Sequence, residues 1–222
     1  GGSPEKRLKF VSEAYQRIRA RVGPSFAVGI KLNSADFQKG GFGGDESLAV
    51  VEHLSGLGMD FIEISGGTYE APAMSGGLQS QQPQKESTRK REAYFLEFAE
   101  QARSRCKGPL VVTGGFRTRE GIDEALQSGA VDLVGIARSV ALDPDFPNKL
   151  LAGHEARSQV KPVRSGIEAV DRAALMEVLF YARQLRRMGD GLEPVPDESP
   201  LKVLASSLLS QGVRTFRTRL RA

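Results

Sequence analysis

The chain has 222 residues, 40% hydrophobic and 26% charged, a composition that excludes a disordered or fibrous protein and allows one large domain. Its single cysteine, Cys106, excludes an intramolecular disulfide and a cysteine-based metal cluster, and it fits a reducing, cytoplasmic setting. The net charge of +4 belongs to the tail: residues 201–222 hold five cations and no acid, so the other 200 residues sum to −1 and no nucleic-acid face is expected.

Ser3, Pro4 and Glu5 read as N-cap, first helical residue and first-turn acid of a helix ending at Gly23-Pro24, with Leu8, Val11, Tyr15, Ile18 and Val22 on one face. Phe26 to Leu32 is then a mostly apolar strand of the kind buried on both faces in parallel sheets. A glycine-rich loop, Gly40 to Gly44, leads into a helix from Asp45 to Leu57 that Gly58 closes. Met59 to Ile64 forms a second strand delivering Ser65-Gly66-Gly67 to its C-terminal end. A long loop, about Thr68 to Ser87, precedes a helix from Thr88 to Arg105.

Strand three, Pro109 to Thr113, runs into Gly114-Gly115-Phe116; after a helix from Thr118 to Ser128, strand four, Val131 to Ile136, runs through Gly135 to Arg138. Four βα units in series predict a parallel sheet or barrel with chemistry at the C-terminal strand ends. Beyond Pro147 the pattern becomes helical: Ile167 to Met188, then a Gly/Pro/acid-rich linker to Pro200, then a basic amphipathic helix over 201–220. No apolar run approaches the roughly twenty residues of a membrane span, so no membrane contact is expected of the main domain.

Two glycine turns after successive strands, the second carrying an arginine, suit a phosphate: backbone N–H groups can approach an anion where no Cβ intervenes, and a guanidinium adds a fixed cationic fork. Lys31 on an apolar strand is costly to bury unless something polar or anionic receives it. His53 and His154, the two histidines, read as surface residues, and Cys106 reads as an inert thiol. No metal-spaced histidine pair, serine elbow, Walker loop or dinucleotide fingerprint is present.

In order, the stretches Gly1 to Arg7, Val28 to Leu32, Ile64 to Gly67, Val112 to Phe116, Asp132 to Arg138 and Asp143 to Pro147 resemble the old yellow enzyme family. These are FMN-dependent NAD(P)H:flavin oxidoreductases and ene-reductases on a (β/α)8 TIM barrel. The resemblance covers roughly residues 1–190 and implies the second half of the barrel, strands 5–8, over 1–160, followed by a helical extension with a basic tail over 161–222. By the same resemblance Gly114, Gly115, Phe116, Gly135 and Arg138 hold the FMN phosphate, and Lys31, where the family more often has arginine, lies against the flavin ring. Ser65, Gly66, Gly67 and Tyr69 fall on the substrate side. The proton donor and the substrate-carbonyl ligands are expected on the other half of the barrel, so catalytic residues are not assigned.

The implied activity is reduction of an activated alkene or related acceptor by NAD(P)H through FMN. The chain is expected to be truncated or one half of a split enzyme, inactive alone, and to pair with the missing barrel half or with itself through open strand edges near Phe26 and Leu133. Two other readings stand beside this one. A phosphosugar barrel would use the same clamp with Lys31 and Glu63 as its catalytic pair, and an interaction module would dock a partner or an acidic membrane surface through the basic tail, with Leu204, Leu208 and Phe216 on one side. For Arg138 the purely structural alternative is an ion pair with Asp143 or Asp145.

Overall fold

A computed structural model describes residues 2–36, 41–65, 96–154, 156–172 and 175–219. The helix opening with Pro4 is α1 (Pro4–Val22), and three strand–helix pairs come after it. These are β1 (Gly29–Asn33) with α2 (Gly44–Gly56), β2 (Phe61–Ser65) with α3 (described over 96–103), and β3 (Leu110–Thr113) with α4 (Arg119–Gln127). β4 (Leu133–Gly135) completes a four-stranded sheet in the order β1-β2-β3-β4, every pair parallel. This is the serial parallel α/β arrangement of a partial barrel. Thr118 caps α4 by accepting the Gly121 N–H at 3.2 Å.

The sheet has two unlike faces, because successive side chains along a strand alternate. Ile62, Ile64, Leu110 and Val112 are buried against Leu48, Val51, Leu54, Phe98, Ala99 and Ala102 of the helices, with Ile30, Leu32 and Val134 packed beside them. On the other face, Lys31, Glu63, Val111, Thr113 and Leu133 are half-buried or exposed. β1 is therefore not buried on both faces; its outward residue Lys31 is the exposed one.

At the N-terminal ends of the strands one device occurs twice. Asp60, one residue before β2, accepts the Val28 N–H at 2.6 Å and pairs with Arg19 of α1, whose guanidinium also donates to the carbonyls of Gly23 (2.8 Å) and Phe26 (2.6 Å). Asp132, one residue before β4, accepts the Leu110 N–H at 2.8 Å and pairs at 2.7 Å with Arg103 of α3, which also donates to the Gly108 carbonyl at 2.6 Å. Each carboxylate thus ties a strand start to the helix end that precedes it. Those bonds also explain why β1 starts at Gly29 and not at Phe26: side chains, not a neighbouring strand, satisfy the Phe26 carbonyl and the Val28 amide. The Asp60 carboxyl is held below the ordinary aspartate range, chiefly by the Val28 amide and the Arg19 guanidinium.

The described residues divide into two compact units, one ending at Ile136 and the other starting at Ala137. The second holds α5 (Arg138–Leu142), α6 (Phe146–Leu151), α7 (Glu168–Arg172), α8 (Leu175–Gly189) and α9 (Pro200–Arg219). Its core is Leu142, Val160, Met176, Phe180 and Val203. The linker between α8 and α9 is anchored by polar contacts: Glu198 receives both arms of Arg183 at 2.8 and 2.9 Å, and Gln184 accepts the Val195 N–H at 2.8 Å. Val203 and Leu204 turn α9 onto this core while Leu208 stays exposed, and Phe216 lies beyond the last described side chain.

Candidate functional site

Parallel strands with short connections bring their C-terminal ends to one rim, the place where such folds gather chemistry. Here that rim carries Asn33 and Ser65, then Gly114-Gly115-Phe116 beyond the last residue of β3, then Gly135 at the end of β4. Gly115 sits at φ 77°, in the left-handed region where a side chain costs about 1–2 kcal/mol, so this turn requires glycine. The Phe116 side chain is 4% exposed and joins the sheet–helix core, which anchors the turn and leaves only its backbone for a ligand.

Gly135 is glycine for another reason. A Cβ there would fall 1.7 Å from Thr113 Oγ1, so close approach of a neighbouring side chain, not backbone conformation, dictates the residue. Ser65 is buried and donates to the Leu32 carbonyl at 3.3 Å, tying the ends of β1 and β2 together. Gly66, Gly67 and Tyr69 lie outside the described residues.

Across the outward face of the sheet runs a polar row. Lys31 and Glu63 are register partners on β1 and β2, and the ammonium donates to Glu63 Oε1 at 2.5 Å. Thr113 of β3 donates to the same oxygen at 2.6 Å. Burial pushes the Glu63 carboxyl up, but the hydrogen bonds from Lys31 and Thr113 outweigh it, and the group stays below the ordinary glutamate range. The cost of placing a lysine on this strand is thus met by a carboxylate on the next one. Thr113 carries no motif that marks it in the sequence; two residues beyond the Val111 that pairs with Glu63, it is on the face of that carboxylate.

Arg138 heads α5, a helix of five residues, so its guanidinium and not a helix dipole is what this segment offers an anion. Neither Asp143 nor Asp145 is its ion-pair partner. Asp143 takes Lys149 at 2.6 Å, Asp145 accepts from Asn148 at 2.8 Å, and Arg138 pairs with Glu177 of α8 at 2.9 Å. Its Cζ lies 6.0 Å from the centre of the Tyr181 ring. Glu177 is thirty-nine residues away, and no local spacing rule reaches that far.

Of the other candidates, His53 is an exposed residue of α2 whose Nε2 lies 2.8 Å from Ser12 Oγ, and Cys106 is a buried free thiol. Among the described residues no cluster of His, Cys, Asp or Glu could hold a metal ion.

Glycine backbone beyond one strand, glycine forced by packing on the next, and a held ammonium on the outward face of the sheet together describe the rim of a parallel α/β barrel suited to an anionic cofactor. The chain belongs to the NADH:flavin oxidoreductase / NADH oxidase family, whose model matches residues 1–157. It is 40% identical over 162 residues to the NADH-dependent flavin oxidoreductase iliE of Hypocrea jecorina, covering 71% of this chain and 39% of that protein. To the NADH-dependent flavin oxidoreductase nadA of Aspergillus parasiticus it is 31% identical over 214 residues, 96% of this chain and 45% of that one. Among solved structures, a 2-naphthoyl-CoA reductase matches with a TM-score of 0.61 at 23% identity, over 72% of this chain and 23% of its own. The old yellow enzyme homologue of Zymomonas mobilis matches at 0.51 and 20% identity, over 72% and 41%. Both show the fold. The chain spans less than half the length of each of these relatives.

The family's cofactor is FMN, with NAD(P)H as electron donor. The residues present fit it. The left-handed Gly115 leaves room for backbone approach, and the outward face of the sheet carries a cation suited to a ring that gains negative charge when reduced.

Proposed function

We propose that the chain is the FMN-holding half of an NAD(P)H-dependent oxidoreductase that reduces an activated alkene or a related acceptor, and that it is inactive alone. The observation that carries this reading is the rim itself: Gly114-Gly115-Phe116 beyond β3 and Gly135 on β4, on the same sheet as the outward-facing Lys31. In it the amides of Gly114, Gly115 and Phe116 and the backbone at Gly135 take the phosphate of FMN. Lys31 lies against the flavin ring, and the segment holding Ser65, Gly66, Gly67 and Tyr69 is assigned to the substrate side.

Bound FMN supplies hydride acceptance from NAD(P)H and delivery to the acceptor. The chain's own residues bind and orient it and set the charge around it. Among the described residues the sheet ends in two edge strands, β1 and β4, which are offered to a partner, either the complementary barrel half or a second copy. The dependence on NAD(P)H favours a cytoplasmic setting, and no described helix is long and apolar enough to cross a membrane.

The test is anaerobic. Purified chain with FMN, NADH or NADPH, and an enone is expected to oxidise the nicotinamide no faster than free FMN does. Addition of the N-terminal barrel half of the Hypocrea jecorina relative is expected to raise that rate. Turnover by the chain alone overturns the half-enzyme reading, and no rate with either nicotinamide after complementation overturns the oxidoreductase reading.

A further inference from the structure

Lys31 does not stand alone on the outward face of the sheet. Its ammonium is fixed by Glu63 at 2.5 Å, Glu63 is fixed in turn by Thr113 at 2.6 Å, and Thr113 is seated against Gly135, where no Cβ fits. The row crosses three strands and is backed by Gly135 on the fourth, so its geometry is set by the sheet and not by a flexible loop. Glu63 is only 24% exposed at its side chain, Lys31 53%, which leaves the ammonium reachable and the carboxylate shielded.

We propose that Glu63 is a positioning residue for the flavin-facing cation, and that the Lys31–Glu63 pair, not Lys31 alone, sets the charge felt by the flavin ring. This rests on the proposal that the chain holds FMN. A lone ammonium would favour the negatively charged reduced cofactor. Close pairing with a carboxylate cancels much of that field at a distance, because the two charges act there as a dipole. The Thr113 hydroxyl keeps the carboxylate ionised and oriented without adding charge.

The consequence is a sign pattern that a purely structural role would not produce. Glu63→Gln leaves the ammonium uncompensated and raises the FMN midpoint potential; Lys31→Met leaves the carboxylate uncompensated and lowers it. The double variant returns close to wild type. Each single change is expected to alter the ratio of reduced to oxidised FMN affinity about tenfold, which for a two-electron couple is about 30 mV.

The experiment is spectroelectrochemistry of the FMN-loaded chain in these four forms, with NMR titration of the Glu63 carboxyl in the cofactor-free chain. In Lys31→Met, Glu63 is expected to titrate above its wild-type value, because burial then faces one donor fewer. Opposite shifts that cancel in the double variant support the proposal. A double variant that behaves like Lys31→Met, with no shift in Glu63→Gln, overturns it while leaving the FMN reading intact. An unmoved Glu63 titration overturns it even if Glu63→Gln fails to fold. A chain that takes up no FMN overturns both readings.

Discussion

Thr113 Oγ1 stands 1.7 Å from where a Cβ of Gly135 would be, and that same oxygen donates to Glu63 at 2.6 Å. The glycine at the end of β4 and the polar row across the sheet are therefore one packing unit. Replacing Gly135 with alanine forces Thr113 off its position, an overpacking change that costs about 1–3 kcal/mol. Urea denaturation monitored by far-UV circular dichroism is expected to show that loss. Thr113→Ala in the same chain recovers part of it, since the oxygen is gone while the threonine Cβ, 2.8 Å from the new methyl, remains. Equal stability of wild type and Gly135→Ala would show that the contact relaxes freely.

Glu198 is expected to make the second unit sensitive to acid. Its side chain is 5% exposed, and the Arg183 hydrogen bonds, opposed by burial and helped by Gln184 and Lys202, hold the carboxyl below the ordinary glutamate range. A carboxylate with a lowered native pKa contributes stability that is complete above the unfolded value of about 4.3 and disappears as pH falls through the native one. Glu198→Gln is expected to remove this acid limb and to cost on the order of 2 kcal/mol at pH 7, the scale of a hydrogen bond to a charged group. Urea midpoints from pH 3 to 7 read it. A pH profile identical in both proteins would assign the acid limb elsewhere.

Leu133 on the edge strand β4 is 55% exposed, and Phe26, just before the opposite edge strand, is 61% exposed. Apolar residues beside unpaired backbone invite strand pairing, and a lysine there opposes it. The purified chain is expected to associate as its concentration rises, and Leu133→Lys to shift sedimentation velocity profiles toward monomer. An unchanged distribution would remove the β4 edge from any interface.

The βα order, the strand that delivers Ser65, and the two glycine turns are legible in the sequence because parallel strands announce themselves as short apolar runs ending in glycine, with helical spacing between them. The start of β1 is not, since Phe26 to Val28 is as apolar as the strand proper; Arg19 and Asp60 decide the boundary through bonds that no apolar pattern encodes. The repeat of that device by Arg103 and Asp132 is hidden for the same reason, although an aspartate directly before two of the four strands is a readable hint. α6 also escapes the apolar pattern, despite Pro147 standing where helices favour proline. At the site, Lys31 is visible as a cation on an apolar strand, and its need for a partner can be argued. That Glu63 meets this need depends on strand register, and that Glu177 and not Asp143 takes Arg138 depends on tertiary packing.

Binding of FMN by its phosphate at the glycine rim is tested most directly by titrating the purified 222-residue chain with FMN and with riboflavin, read by flavin fluorescence. Charge-assisted hydrogen bonds of about 1.5–3 kcal/mol predict that FMN binds roughly ten- to a hundredfold tighter than riboflavin. Equal affinities, or no binding of either, would contradict it.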